Sequence, residues 1–384
     1  MFKDKTILIT GGTGSFGRQF AGELLERCEF KKIIIFSRDE FKQDNMKKEF
    51  LRRYGPEKVG KMRFFIGDIR DRERLRRAFR TVDIVIHAAA MKQVPACEYN
   101  PTEAVRTNVV GAMNIIDAAL DSHVEKVIAL STDKAVNPIN LYGGTKLVSD
   151  KLFLAANAYS GESGTIFGLV RYGNVSGSRG SVIPFFRDLI RHGAEELPIT
   201  DVRMTRFWMT LDKAVSLVMM AVEKLTGGET FVYKNPSYHV VDLCEAMSPG
   251  IRLKNIGIRE GEKIHEVMIT KDDSRSAYDY GDYFVIYPHF EWFDFEKSFQ
   301  PGGVKVEDGF EYSSGSNSEW LSVEEIRRLM KEYDLFNGRE IDENRVYHSG
   351  AHEQHQTAGE GSAASGLSPR PLHTGGDRRP AAQG

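Results

Sequence analysis

The sequence predicts an α/β fold, a doubly wound parallel sheet with a smaller C-terminal domain. Three observations carry that prediction. Short β-branched runs recur through the first 175 residues. Longer stretches with apolar residues at helical spacing separate them. The runs are apolar throughout rather than alternating, as strands covered on both faces must be. Strand and helix in regular alternation give right-handed crossovers with helices on both faces of one sheet.

In order, the strand-like runs are KTILIT (5–10), KKIIIF (31–36), MRFFIG (62–67), DIVIHAAA (83–90), KVIALS (126–131) and TIFGLVRYG (165–173). SFGRQFAGELLERC (15–28) reads as the first crossover helix. Past residue 175 the alternation loosens. SRGSVIPFFRDLI (178–190) and LDKAVSLVMMAVEKL (211–225) read as helices, the second returning to the first domain. The expected division is therefore 1–175 with 211–238 as one domain, and 176–210 with 239–335 as a smaller substrate domain. No aromatic residue follows Tyr347, and from 349 to 384 Gly, Ala, Ser, Pro, His and Arg dominate. Such a segment cannot bury enough apolar surface to offset its ordering entropy, so a disordered tail is expected. Its histidines, with neighbouring His348, are read as solvated.

Composition excludes several classes. The chain has 384 residues, enough for about two domains of roughly 150 residues each. A net charge of −2 offers no basic footprint for nucleic acid. Cys28, Cys97 and Cys244 are far apart and form no metal-binding spacing, so free thiols and no metal are expected. No run approaches the ~18 apolar residues of a membrane span. A soluble cytoplasmic protein without a membrane partner is the expectation.

The first strand runs directly into TGGTGSFG (10–17). Gly11, Gly14 and Gly17 permit a tight turn and a close backbone approach, and Thr13, Ser15 and Phe16 complete the turn. The helix that follows offers its free N–H groups and dipole to a pyrophosphate. In that position the pattern points to a bound dinucleotide. At the end of the second strand stand Ser37 and Arg38, with Asp39 after them. A hydroxyl and a guanidinium suit a ribose 2′-phosphate, with Lys42 beside them, so NADP is favoured over NAD. Asp68 and Ile69 end the third strand where an adenine would sit. Ala88, Ala89 and Ala90 end the fourth with side chains small enough to pass beneath a nicotinamide ribose.

The fifth strand delivers STDKAVNPINLYGGTK (131–146) to the sheet edge where ligands bind. Tyr142 and Lys146 are one turn apart on one helix face. A lysine beneath a tyrosine, near a cationic nicotinamide, lowers the phenol pKa, and the phenolate can take a proton from a sugar or alcohol hydroxyl while hydride leaves for the cofactor.

These residues, with RFFIGDIRD, HAAAMKQVP, RYGNVSGSRGSVIPFF, ITDVRMTRFWMTLDKAV and GIREGEKIHEVM, make the chain resemble the extended short-chain dehydrogenases/reductases. Within them it is most similar to the inverting UDP-N-acetylglucosamine 4,6-dehydratases that open pseudaminic acid biosynthesis. The resemblance spans about residues 4–335 and implies a Rossmann domain. It implies a second acid–base pair, with Asp133 as acid and Lys134 as base, acting on carbons 6 and 5 once carbon 4 is oxidised. A lysine base requires a depressed pKa, expected near Lys146 and the cofactor's positive ring. The resemblance further implies that Lys92, Thr132, Asn174, Arg206, Arg259 and Glu262 bind UDP-N-acetylglucosamine, and that the chain is a homo-oligomer. His265 is expected to be structural. A related group of capsule-forming enzymes carries Met where Tyr142 stands. An epimerase, dehydratase or reductase serving capsule or O-antigen polysaccharide is the alternative, and a non-catalytic dinucleotide sensor a third.

Overall fold

The computed structural model describes residues 1–177, 181–291 and 293–336. The expected tail and its histidines lie outside the described residues, as does the centre of the SGSRGSVIP loop.

Six strands follow the sequence pattern closely: β1 (Thr6–Thr10), β2 (Lys32–Ser37), β3 (Met62–Ile66), β4 (Ile84–His87), β5 (Lys126–Thr132) and β6 (Ile166–Tyr172). They are parallel in the lateral order 3-2-1-4-5-6. The chain reverses direction of travel across the sheet between β1 and β4, and a crevice opens there at the carboxyl ends. Side chains alternate between faces. Ile7, Ile9, Ile33 and Ile35 pack in one core beneath helices Ser15–Arg27 and Leu211–Lys224. Leu8, Ile34 and Phe36 pack in the other with helices Arg72–Phe79, Gly111–Asp121 and Leu141–Ala156.

Two details depart from the sequence pattern. β3 is half exposed rather than covered on both faces, because it is the sheet edge and pairs only with β2. β4 stops at His87, three residues early, because the Thr10 hydroxyl accepts the N–H groups of Ala88 and Ala89 at 3.2 Å each. The same hydroxyl meets His87 Nδ1 at 2.8 Å, and burial holds that imidazole neutral, with its pKa down at about 3.

Beyond β6 the sheet continues to ten strands. Thr230–Tyr233 adds in parallel, then Tyr283–Ile286, Ala277–Asp279 and Val304–Lys305 add antiparallel. Those last three strands come from the stretch read as substrate domain. A short period-2 strand carries no mark of which sheet edge it will extend. The rest of the stretch surrounds a separate core of Ile183, Phe186, Leu197, Trp208, Leu243 and Ile326. Two small pairings frame it, Glu196–Ile199 with Arg252–Asn255 and Thr205–Phe207 with Ser237–His239. Cys28, Cys97 and Cys244 are all free thiols.

Candidate active site

A cavity of about 1310 Å³ runs along the carboxyl ends of the parallel strands. Single small ligands take about 300–1,000 Å³, so this one has room for two. Every residue singled out above as catalytic, cofactor-binding or substrate-binding lines it.

At one end the glycine turn is built for a close approach. Gly11 has φ of +64°, and a β-carbon there would lie 2.9 Å from the Ala89 nitrogen. A β-carbon on Gly17 would lie 2.5 Å from Gly12 Cα, so the helix and turn touch backbone to backbone. The helix Ser15–Arg27 begins at Gly14 with no side chain capping it, which leaves its first N–H groups for an anion. These features fit a pyrophosphate.

The ribose end brings Ser37, Arg38, Asp39 and Asp68 to one side of the cavity. The Ser37 hydroxyl accepts from Gln43 Nε2 at 2.9 Å, so its own proton is directed elsewhere, to an acceptor. The Arg38 guanidinium is largely exposed, 3.9 Å from Asp68. Asp39 spends a carboxylate oxygen on the Lys42 N–H as the N-cap of helix Glu40–Gly60. Asp68 is bound through both oxygens by Arg70. Burial pushes the Asp68 carboxyl up, but the Arg70 bonds outweigh it and hold it below its ordinary value.

The four residues expected to be catalytic meet where β5 ends. Asn140 caps helix Leu141–Ala156 by accepting from the Gly143 N–H at 2.8 Å, and donates to the Gly261 carbonyl at 2.9 Å. It thereby ties the tyrosine helix to the loop carrying Arg259 and Glu262. Gly143 lets the turn Asp133–Ala135 lie against that helix, for a β-carbon there would be 2.1 Å from the Lys134 carbonyl oxygen. Asp133 is buried, and Lys134 Nζ lies 3.1 Å from both its oxygens. Thr132 donates to Asp133 Oδ1 at 2.9 Å.

Tyr142 and Lys146 are both buried. Burial pushes the Tyr142 phenol up rather than down, with Thr132 opposing. The expected lowering is therefore not supplied by the protein's own groups, because desolvation of a phenolate outweighs them. Burial pushes the Lys146 ammonium down, against the charge of Asp150 one turn further along.

At the substrate end, Arg206 donates to the carbonyls of Thr205 and Ile264 at 2.7 and 3.0 Å, and lies 3.5 Å from Glu262. Glu262 Oε2 is buried without a partner, an acceptor waiting for a hydroxyl. Arg259 and Lys92 are exposed at the rim. Asn174, expected near the diphosphate, is engaged at both ends of its amide, by Lys134 and by Glu266. His265 is exposed, held by Thr205 at 2.8 Å with its ring against Gly315.

Several site residues escape sequence reasoning. Asp150 continues the Tyr142–Lys146 face by four residues, so helical spacing could have found it. Its carboxylate accepts from Ser131, and burial pushes its pKa up. Asn108 sits in a π-turn, Arg106–Val110, and clamps the Met91 backbone at 2.8 and 2.9 Å while donating to Thr145 at 3.0 Å. Lys263 and Glu266 lie within GIREGEKIHEVM, where no spacing marks either one.

The sequence matches the family described as polysaccharide biosynthesis protein over residues 7–288. A Campylobacter jejuni protein named UDP-N-acetylglucosamine 4,6-dehydratase (inverting) is 52% identical over 341 residues, 88% of this chain and 100% of that one. A Rickettsia akari protein named UDP-glucose 4-epimerase is 42% identical, covering 87% of this chain and 97% of that one. The X-ray structure of Pen from Bacillus thuringiensis matches with a TM-score of 0.78 at 38% identity, over 87% of this chain and 99% of that one. Fold, site and sequence agree: the chain belongs to the polysaccharide biosynthesis protein family, among the extended short-chain dehydrogenases/reductases.

Proposed function

We propose that this chain is an NADP-dependent UDP-N-acetylglucosamine 4,6-dehydratase that inverts carbon 5. Its product would be a UDP-4-keto-6-deoxy-L-sugar for a surface glycan of the pseudaminic acid type. The observation that carries the reading is the Asp133–Lys134 pair, Nζ to carboxylate at 3.1 Å, mounted in the same cavity as Tyr142 and Lys146. An epimerase acting only at carbon 4 has no use for a second acid–base pair.

When bound, NADP would supply a hydride acceptor for carbon 4, a positive charge that favours the Tyr142 phenolate, and a hydride donor for carbon 6. Gly11, Gly14 and the helix N-terminus would hold its pyrophosphate, and Ser37 and Arg38 its 2′-phosphate. Tyr142 takes the proton of the hydroxyl on carbon 4. The resulting ketone acidifies carbon 5, Lys134 takes that proton, and Asp133 protonates the departing hydroxyl on carbon 6. Arg206 and Arg259 hold the diphosphate, and Glu262 accepts from the uridine ribose. A cytoplasmic homo-oligomer with no metal belongs to the same proposal. Among the described residues there is no metal-binding cluster, and no helix is long and apolar enough to cross a membrane.

The test is incubation with UDP-N-acetylglucosamine in deuterated water. Loss of water with deuterium at carbon 5 and an L-configured product is expected. Water loss with the D-configuration would overturn the inversion. An unchanged mass with a new hexose isomer would establish the epimerase named for the Rickettsia relative and overturn the dehydratase.

A further inference from the structure

Glu266 has no part in the steps above, yet it lies in the same cavity, 3% exposed. Its Oε1 accepts from Asn174 Nδ2 at 3.0 Å and its Oε2 from the Phe207 N–H at 3.2 Å. Arg206 Nε stands 3.6 Å from Oε1. Gly173 makes room for it, since a β-carbon there would lie 3.2 Å from Oε2. At its other end, Asn174 Oδ1 accepts from Lys134 Nζ at 2.9 Å.

This chain of contacts has only one consistent orientation. In the resting ion pair Lys134 is an ammonium that donates and Glu266 a carboxylate that accepts, so the Asn174 amide turns oxygen to Lys134 and nitrogen to Glu266. The neutral amine that acts at carbon 5 still has N–H bonds to give that oxygen. A proton on Oε1 of Glu266 would remove the acceptor. The amide would then turn over and set its NH₂ against the lysine.

We propose that Glu266 is a positioning residue for the acid–base pair: ionised, it fixes the Asn174 amide and so holds Lys134 Nζ in place for abstraction at carbon 5; protonated, it releases both. The inference rests on the dehydratase reading and adds a group that touches neither substrate nor cofactor. Burial first and the Asp133 charge second push the Glu266 carboxyl up to about 7. Arg206, Lys134 and the Phe207 N–H oppose them. Lys263 and Tyr238 also face it. The switch between the two arrangements therefore falls at physiological pH.

The experiment follows the rate of deuterium entry at carbon 5 of UDP-N-acetylglucosamine against pH, for the wild-type chain, Glu266→Gln, Asn174→Ala and the double variant. Glutamine keeps the shape of Glu266 and cannot ionise. Wild-type exchange should rise as pH climbs through about 7. Each single variant should lose roughly ten- to a hundredfold in kcat, as misplacement of a reacting group by about 1 Å does. KM of Glu266→Gln should rise far less than its kcat falls, because glutamine keeps the shape beside Arg206. Both single variants should lack the inflection, and the double variant should be no slower than either single one. An unmoved inflection in Glu266→Gln, additive losses in the double variant, or a rise in KM that accounts for the whole effect of Asn174→Ala would each overturn the proposal. A wild-type chain that takes up no deuterium would instead overturn the dehydratase reading, and this role with it.

Discussion

A single methyl group added at Gly143 should pull the two acid–base pairs apart. An ideal β-carbon there lies 2.1 Å from the Lys134 carbonyl oxygen and 3.0 Å from its carbon. Ordinary contact begins at 3.4 Å, so the turn Asp133–Ala135 and the tyrosine helix must separate by 1.3 Å, the difference between the two distances. The clash is with backbone, so no flexible side chain can yield. Overpacking of this kind costs about 1–3 kcal/mol of stability. A displacement of about 1 Å between reacting groups costs on the order of a hundredfold in rate. Gly143→Ala should therefore melt at a lower temperature and lose about a hundredfold in kcat for water loss from UDP-N-acetylglucosamine. Gly144→Ala is the control. Nothing lies within 4 Å of a β-carbon there, and relieving a helical glycine should add about 0.5–1 kcal/mol of stability with kcat unchanged. If Gly143→Ala keeps kcat within about twofold of wild type, the backbone contact does not set the spacing of the pairs, and the reasoning fails.

Arg38→Ala should weaken NADP binding by roughly ten- to a hundredfold, the loss of one charged hydrogen bond of about 1.5–3 kcal/mol, and leave NAD binding alone. Titration calorimetry with both dinucleotides checks this, and equal losses would refute it. Asn140→Ala removes a helix cap worth about 1 kcal/mol and frees the Gly261 carbonyl, so KM for the nucleotide sugar should rise more than kcat falls. A fall in kcat alone would mean that the cap serves only Tyr142. Glu266 gives a stability signature as well. Its folded pKa of about 7 stands above the ordinary 4.5, so folding favours its protonated form. That contribution is complete below pH 4.5 and is lost as pH rises through about 7. Melting temperatures of Glu266→Gln and wild type should diverge across that window, the glutamine gaining, and a constant difference would count against it.

The parallel half of the fold was legible because its signals are local. A strand buried on both faces reads as a solid apolar run, and the turn from Thr10 to Gly17 carries its chemistry in consecutive residues. Tyr142 and Lys146 are likewise one turn apart on one helix. What stayed hidden depends on contacts between distant segments. Glu266 meets Asn174 across 92 residues, and Asn140 meets Gly261 across 121. No periodicity records such pairings. The strands at 277–305 could have closed any open edge, and only the packed chain places them beside Thr230–Tyr233. The Tyr142–Lys146 spacing was visible in the sequence, but the burial that pushes the phenol up was not. The phenol's pKa depends on how deeply the folded chain buries it, and a sequence does not display burial at a cavity wall.

In the proposed roles, Lys134 and Asp133 would also govern how much net charge the cavity must carry. With Lys134 as base and Asp133 as acid, elimination begins from the neutral pair and ends with ammonium facing carboxylate. The folded chain shows these two groups in contact over 3.1 Å. The two forms are tautomers, one proton apart, and their summed charge is zero in both. Water can leave carbon 6 without any ion entering or departing a site whose walls are poor at solvating one. Deprotonation of a carbon acid and expulsion of hydroxide, each costly alone in such surroundings, become a single internal transfer of neutral sum.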